Sequence, residues 1–374
     1  MKSWPVGVLY SGSGMTSVSE ISQLQGTLLA IDEINAAGGV IGTPIMPIIY
    51  DPRSDPAEYA SLAGRLIMDD GATNIFGCSA SFSRKAVLPW IERRGGLLWY
   101  SVCYEGFEYS PNVIYTGPAP NQLHVYLAAF LFQHYGRRFF LVGSDYLFPR
   151  ESNRIVRELL ADVGGAVLGE HYLPLDAPPA AFGAIMAEAM REQPDVIFST
   201  VVGPTTPLLY DAYSATELNA REVPIAALTT NEVHLAASAL EPSPGHIVCS
   251  PYFETLETEA NRKFVERYCS RFGRNRPVDS CAESAYFTVH IFAKALERAG
   301  TLDPDRLRSE ALGLSFDAPQ GRVVIDPDNN HTYLRPRIGV VSHGRQFAVL
   351  QESDELLKPD PYLVDYVALQ AVSG

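Results

Sequence analysis

No stretch of this sequence is apolar for long enough to cross a membrane as a helix, so no insertion is expected. Basic residues are few: 29 Lys and Arg face 43 Asp and Glu, a formal charge of −14. That excess of negative charge repels phosphate backbones and disfavours docking on anionic lipid, which excludes direct nucleic-acid binding by a broad surface. Cysteines are scarce and odd in number, and Cys78, Cys103, Cys249, Cys269 and Cys281 lack the paired spacing of a disulfide framework or a zinc site. Buried free thiols in a reducing compartment are the expectation. The phosphate loop GxxxxGK[ST], the zinc helix HExxH and the nucleophile elbow GxSxG are all missing. The eight histidines show no ligand spacing. No cofactor and no metal are expected. Met1-Lys2-Ser3-Trp4-Pro5 runs straight into the apolar Val6–Tyr10 without the charged and apolar regions of a signal peptide. These features point to the cytoplasm; a periplasmic placement is the alternative if a signal segment has been cleaved.

What is present is an alternation of short apolar runs with helical periodicity across 374 residues. Strands are expected at Val6–Tyr10, Ile45–Tyr50, Ile75–Gly77 and Leu97–Tyr100, with helices at Ile21–Ala36, Pro56–Met68 and Ser83–Arg93 between them. A helix at Asn121–Tyr135, capped by Asn121, closes this set. A second set follows: strands at Phe139–Gly143, Val167–Tyr172, Val196–Thr200, Pro224–Leu228 and His246–Ser250, interleaved with further helices. Long helices at Glu259–Phe272 and Ser280–Ala299 come next. Three late strands, Arg322–Ile325, Arg337–Ser342 and Gln346–Leu350, read as a meander or hairpin. Repeated strand–helix–strand units imply parallel sheets covered on both faces. Without a flexible linker between the sets, the reading is an α/β fold. It has two doubly wound parallel-sheet lobes joined by a multi-strand hinge, with Ser280–Ala299 returning to the first.

Ligands of open parallel sheets sit beyond the carboxyl ends of the strands. Here those ends are rich in hydroxyls and phenols: Ser11 and Ser13, Ser79 and Ser81, Tyr100 to Tyr104, Ser144 to Tyr146, Ser199-Thr200, and Thr229-Thr230. The helix after Ser81 would offer free backbone amides. A small polar ligand could be held there and enclosed by Tyr100, Tyr104 and Tyr146. Gly12-Ser13-Gly14 starts a dinucleotide fingerprint, but Ser17 stands at its third glycine, and a tight turn is the reading. Cys103 lies beside Glu105, yet no histidine is local to act as base. The chain is therefore read as non-enzymatic; an amide hydrolase using Cys103 is the rival.

Gly77–Pro89, Tyr104–Asn112, Gly117–Gln122, Gly143–Tyr146, Pro149–Asn153 and Phe198–Gly203 together resemble the amide sensors that negatively regulate the aliphatic amidase operon. Less closely, they are similar to the short-chain amide and urea receptors of ABC transporters. The resemblance implies a type I periplasmic-binding fold with the ligand between two lobes. Their implied extents are residues 1–120 with 253–330, and 121–252 with 331–374. It places the ligand near Ser81, Tyr100 and Tyr146, which keep the family's residue types. Four neighbours depart: Ser79 and Phe148 replace tyrosines, Val102 a threonine and Cys103 a proline. The ligand is thus expected to be larger or less polar than acetamide. Tyr104, Val202 and Thr230 complete the expected site.

The resemblance further implies a sensor that binds an amide-like ligand and acts on an RNA-binding antiterminator protein, whose basic surface the acidic chain could mask. The alternative is the receptor of an ABC importer, working with a permease, for amides, urea or amino-acid-like ligands. Homo-oligomerisation is left open.

Overall fold

The first strands are short apolar runs, and the helices after them have their boundaries written in the chain. In the computed structural model, which describes residues 3–364, the first set is β1 (Trp4–Leu9), α1 (Ser17–Ala36), β2 (Ile45–Tyr50), α2 (Pro56–Met68), β3 (Asn74–Gly77), α3 (Ser81–Arg94), β4 (Leu97–Tyr100) and β5 (Val113–Tyr115). Asp55 caps α2 by accepting from the Ala57 amide, with Pro56 in the first turn. Gly95 ends α3 in the left-handed conformation that favours glycine. The strands form a parallel sheet in the order β2-β1-β3-β4-β5.

A π-helical turn at Asn121–Val125 leads into α4 (Tyr126–His134). Asn121 does not cap it. Its side chain instead donates to the Lys358 carbonyl and accepts from the Asp360 amide, tying down a late segment. The second set is β6 (Arg138–Ser144), α5 (Leu147–Asp162), β7 (Ala166–Leu173), α6 (Pro179–Glu192), β8 (Val196–Thr200), α7 (Thr206–Ser214), β9 (Ile225–Ala227), α8 (Glu232–Ala237) and β10 (Ile247–Ser250). Then come α9 (Glu259–Phe272), α10 (Ser280–Ala299), α11 (Pro304–Ala311), β11 (Ser315–Ala318), β12 (Gly321–Ile325), β13 (Thr332–Tyr333), β14 (Arg337–Ser342) and β15 (Gln346–Glu352).

The late strands do not form one meander. β12 pairs with β11 and β13 in a separate three-stranded sheet, whereas β14 and β15 add an antiparallel edge to the second sheet, ordered β15-β14-β10-β9-β8-β6-β7. The reason is that the chain changes lobes between them. It crosses three times: after β5, after β10, and between β13 and β14.

Both faces of each sheet are covered, as parallel strands require. Val6, Val8, Phe76 and Trp99 pack against Leu29, Ala282 and Phe292, while Leu9, Ile75 and Leu98 pack under Tyr59, Leu66 and Ile91. In the second sheet Phe139, Leu141 and Phe198 meet Leu131, Ile155 and Leu159; Phe140, Val142 and Ile197 meet Phe182, Met186 and Leu209. Each such buried side chain contributes roughly 1.5–3 kcal/mol.

Two glycines permit the approaches that shape the interlobe region. A Cβ on Gly26 would lie 2.0 Å from the Ala282 carbonyl oxygen, so α10 can lie flush on α1. One on Gly117, in the first crossing, would lie 1.9 Å from the Val102 carbonyl oxygen. The loop after β4 is thereby pressed against the hinge. The second lobe's expected extent runs to 374; residues 365–374 lie outside those described.

Candidate functional site

The carboxyl ends of β3, β4, β6, β8 and β9 converge on one cavity between the sheets. About 110 Å³ of it is open to the centres of water-sized molecules. One such sphere needs roughly 10–15 Å³, so the space suits a small organic molecule rather than a single water. Ser79, Ser81, Tyr100, Val102, Cys103, Tyr146, Phe148, Val202 and Thr230 all line it. The three crossings supply the hinge end through Thr116, Pro118, Ser250, Pro251 and Leu334.

Tyr104 does not line the cavity. Its ring packs against Tyr115 and His331, at centroid distances of 4.9 and 5.4 Å. Its hydroxyl donates to the Glu108 carbonyl and accepts from the Glu108 amide. The cause is Arg84, a fully buried guanidinium that passes over the rings of both Tyr100 and Tyr104. Arg84 pairs with Glu105 at 2.6 Å and Glu108 at 3.0 Å, and donates to the Tyr100 hydroxyl at 3.2 Å. That hydroxyl in turn donates to the Ser79 carbonyl at 2.7 Å. Tyr100 therefore presents ring surface, and its phenol proton is committed to the protein.

Ser81 opens α3, is 1% exposed, and its Oγ has no hydrogen-bond partner. At a helix N-terminus such a hydroxyl sits beside unpaired backbone amides. The turn that delivers it is strained, since Cys78 holds φ at +66°, a conformation costing roughly 1–3 kcal/mol. Thr230 Oγ1 accepts from the Tyr210 hydroxyl at 3.1 Å and retains its own proton. The Val202 amide is spent on Ser144 Oγ. Phe148 is buried and faces His124 edge-on. Cys103 reaches across to pack on the core of the second lobe. Burial pushes its thiol up to about 12, with Glu105 adding to the rise, so it stays protonated and is no nucleophile.

The lobes meet around this cavity. Phe82 and Tyr146 stack edge to face at 5.8 Å. Arg154 lies 4.6 Å over the Phe107 ring. Asn231 Nδ2 donates to Asp279 Oδ2 at 3.0 Å.

Sequence reasoning missed His234, Ser284 and Gln320, which also line the cavity. His234 Nδ1 accepts from the Asn231 amide at 3.3 Å, which assigns the ring proton to Nε2. Burial lowers His234 to about 4, so the ring is neutral near pH 7. Their signal was Ser280 and Ser284, one helical turn apart on α10. It becomes readable only once α10 is placed on the first lobe.

A family model described as a periplasmic binding protein domain matches residues 4–367. The chain is 25% identical over 311 residues to the Leu/Ile/Val-binding protein homolog 6 of Brucella melitensis, covering 80% of this chain and 79% of that one. It is 23% identical over 312 residues to the leucine-, isoleucine-, valine-, threonine- and alanine-binding protein of Pseudomonas aeruginosa, covering 81% and 80%. A solute binding protein of an ABC transporter from Rhodopseudomonas palustris, solved with 3,4-dihydroxybenzoic acid, superimposes with a TM-score of 0.84 at 18% identity, over 96% and 99% of the chains. The fold is the type I periplasmic-binding fold. The expectation of a cytoplasmic protein is overturned by the match to a periplasmic binding protein domain across nearly the whole chain. It rested on the chain's first residues and on unpaired cysteines, and neither fixes a compartment: the five thiols are free, which is compatible with either one. With two lobes around a small cavity and a match from residue 4 to 367, this chain belongs to the periplasmic binding protein family, as a small-ligand binding protein and not an enzyme.

Proposed function

We propose that this chain is the solute receptor of an ABC-type importer. Its lobes, residues 1–120 with 253–330 and 121–252 with 331–374, close on a small uncharged, amide-like solute. One observation carries the ligand class: hydroxyls, thiols, a neutral imidazole and the Gln320 amide line the cavity, and among the described residues no Lys, Arg, Asp or Glu does. An ion enclosed without a charged partner loses its hydration, which backbone amides alone offset only in part, whereas a neutral amide needs only hydrogen bonds. A free amino acid would bring two such charges. The short motifs that resemble those of amide sensors support the ligand class. The relatives described above support the receptor role over a sensor acting on an antiterminator.

A thermal-shift panel tests this reading. Propionamide, butanamide and benzamide are expected to raise the melting temperature by several degrees, since a ligand at 100 times its Kd stabilises by about 2.7 kcal/mol. Leucine and free carboxylates are expected to leave it unchanged. A shift from leucine with none from any amide would overturn the assignment of ligand class.

A further inference from the structure

Among the described residues, four buried polar atoms with no partner belong to residues that line this one cavity. Ser81 Oγ stands at the strand-end side. Ser284 Oγ, Gln320 Oε1 and His234 Nε2 are the others, and their residues are 8%, 3% and 2% exposed. An unsatisfied buried polar atom is costly and rare, so three of them lining one cavity call for an explanation.

Hydrogen bonds draw those three residues together. Asn231, three residues before His234, donates to Asp279, the N-cap of α10, five residues before Ser284. Gln320 donates its backbone amide at 3.1 Å and its side-chain Nε2 at 2.8 Å to Glu283, the neighbour of Ser284. In this arrangement Gln320 Oε1 is left unpaired. Thr288, one turn beyond Ser284, bonds Thr116 of the first crossing at 2.6 Å, so this part of α10 lies against the hinge. The inventory is specific: one N–H donor at His234, one carbonyl acceptor at Gln320, and one hydroxyl at Ser284 that can do either.

We propose that these three residues form a hinge-side subsite for a second, uncharged polar group of the ligand, separate from the group received at Ser81. The solute class is thereby narrowed to small amides with a hydroxyl or a second carboxamide at the far end. A group that both donates and accepts can pair with any of these atoms; an alkyl tail pairs with none. This inference rests on the proposed binding of neutral amides in the cavity.

Calorimetric titration of the whole protein with three probes tests it: pentanamide, 4-hydroxybutanamide and succinamide. The two-headed probes are expected to bind at least tenfold more tightly than pentanamide. Ser284→Ala removes only a hydroxyl that has no protein partner, so its unliganded melting temperature should hold or rise. His234→Asn keeps an acceptor near the Nδ1 position for the Asn231 amide and deletes the Nε2–H donor. Each is expected to erase roughly tenfold of the preference for two-headed probes and to leave pentanamide within about twofold. If either folds poorly, the other decides. Pentanamide binding as tightly as the others, or variants that weaken all three probes equally, would overturn the subsite while leaving the amide reading standing. Binding of none of the three would overturn that reading and the subsite with it.

Discussion

Arg84→Met should destabilise the protein by roughly 3–5 kcal/mol, because it strands a buried carboxylate without its cation. Glu105 is 2% exposed and bonds Arg84 through both of its oxygens. Methionine approximates the stem of arginine, so a cavity is not the main effect. The loss also reaches the ligand site, since Arg84 orients the Tyr100 hydroxyl that holds the Ser79 carbonyl. Urea unfolding checks this through the transition midpoint. Adding Glu105→Gln to Arg84→Met should recover part of the loss, since the charge to be neutralised is then gone. Arg84→Lys should recover little, because one ammonium cannot reach Glu105, Glu108 and Tyr100 together. A single variant as stable as the parent would show that the buried pair contributes nothing.

Stability should peak between pH 6 and 7 and fall by about 1–2 kcal/mol towards pH 8.5. Burial raises Glu20 to about 7, Asp279 to about 6 and Glu283 to about 8. In the folded state these groups keep protons that an unfolded chain releases near 4, so their contribution is complete below that and is lost progressively as pH climbs to the folded values of 6 to 8. Burial acts the other way on histidine: His124, His234, His290 and His331 are lowered to about 4, and His246 to about 3. Unfolding lets them charge below about 6.5, so their contribution is present above that value and is lost as pH falls towards 4. Each unmatched proton changes stability by about 1.4 kcal/mol per pH unit. Glu283→Gln should flatten the alkaline limb between pH 7 and 8 by about one proton. Denaturant midpoints across pH 4.5–8.5 measure it, and a profile still rising at pH 8.5 would contradict it.

The alternation of strands and helices was legible because both periods recur and the caps are conventional, as at Asp55 and Gly95. β5 was not legible: three residues, Val113–Tyr115, carry no period. Of the late strands, Arg337–Ser342 and Gln346–Glu352 do pair as a hairpin, but Arg322–Ile325 was misplaced beside them because adjacency in sequence conceals a crossing between lobes at Leu334–Pro336. The cavity lining was largely legible, since ligands of parallel sheets collect at strand ends and Ser79, Tyr100, Tyr146 and Thr230 stand there. Tyr104 left that pattern for a reason invisible in one dimension: Arg84 meets Glu105 from 21 residues away and draws the phenol into the core. His234, Ser284 and Gln320 come from three distant segments that only the hinge brings together.

From its described lining, the cavity is expected to hold a small molecule by hydrogen bonds without any ion pair. Isothermal titration with the near-isosteric pair benzamide and benzoate, at constant pH and salt, tests it most directly. Benzamide should bind at least a hundredfold more tightly, a gap of about 2.7 kcal/mol, set by the cost of enclosing an unpaired carboxylate. Benzoate binding as tightly as benzamide, or more so, would contradict the account.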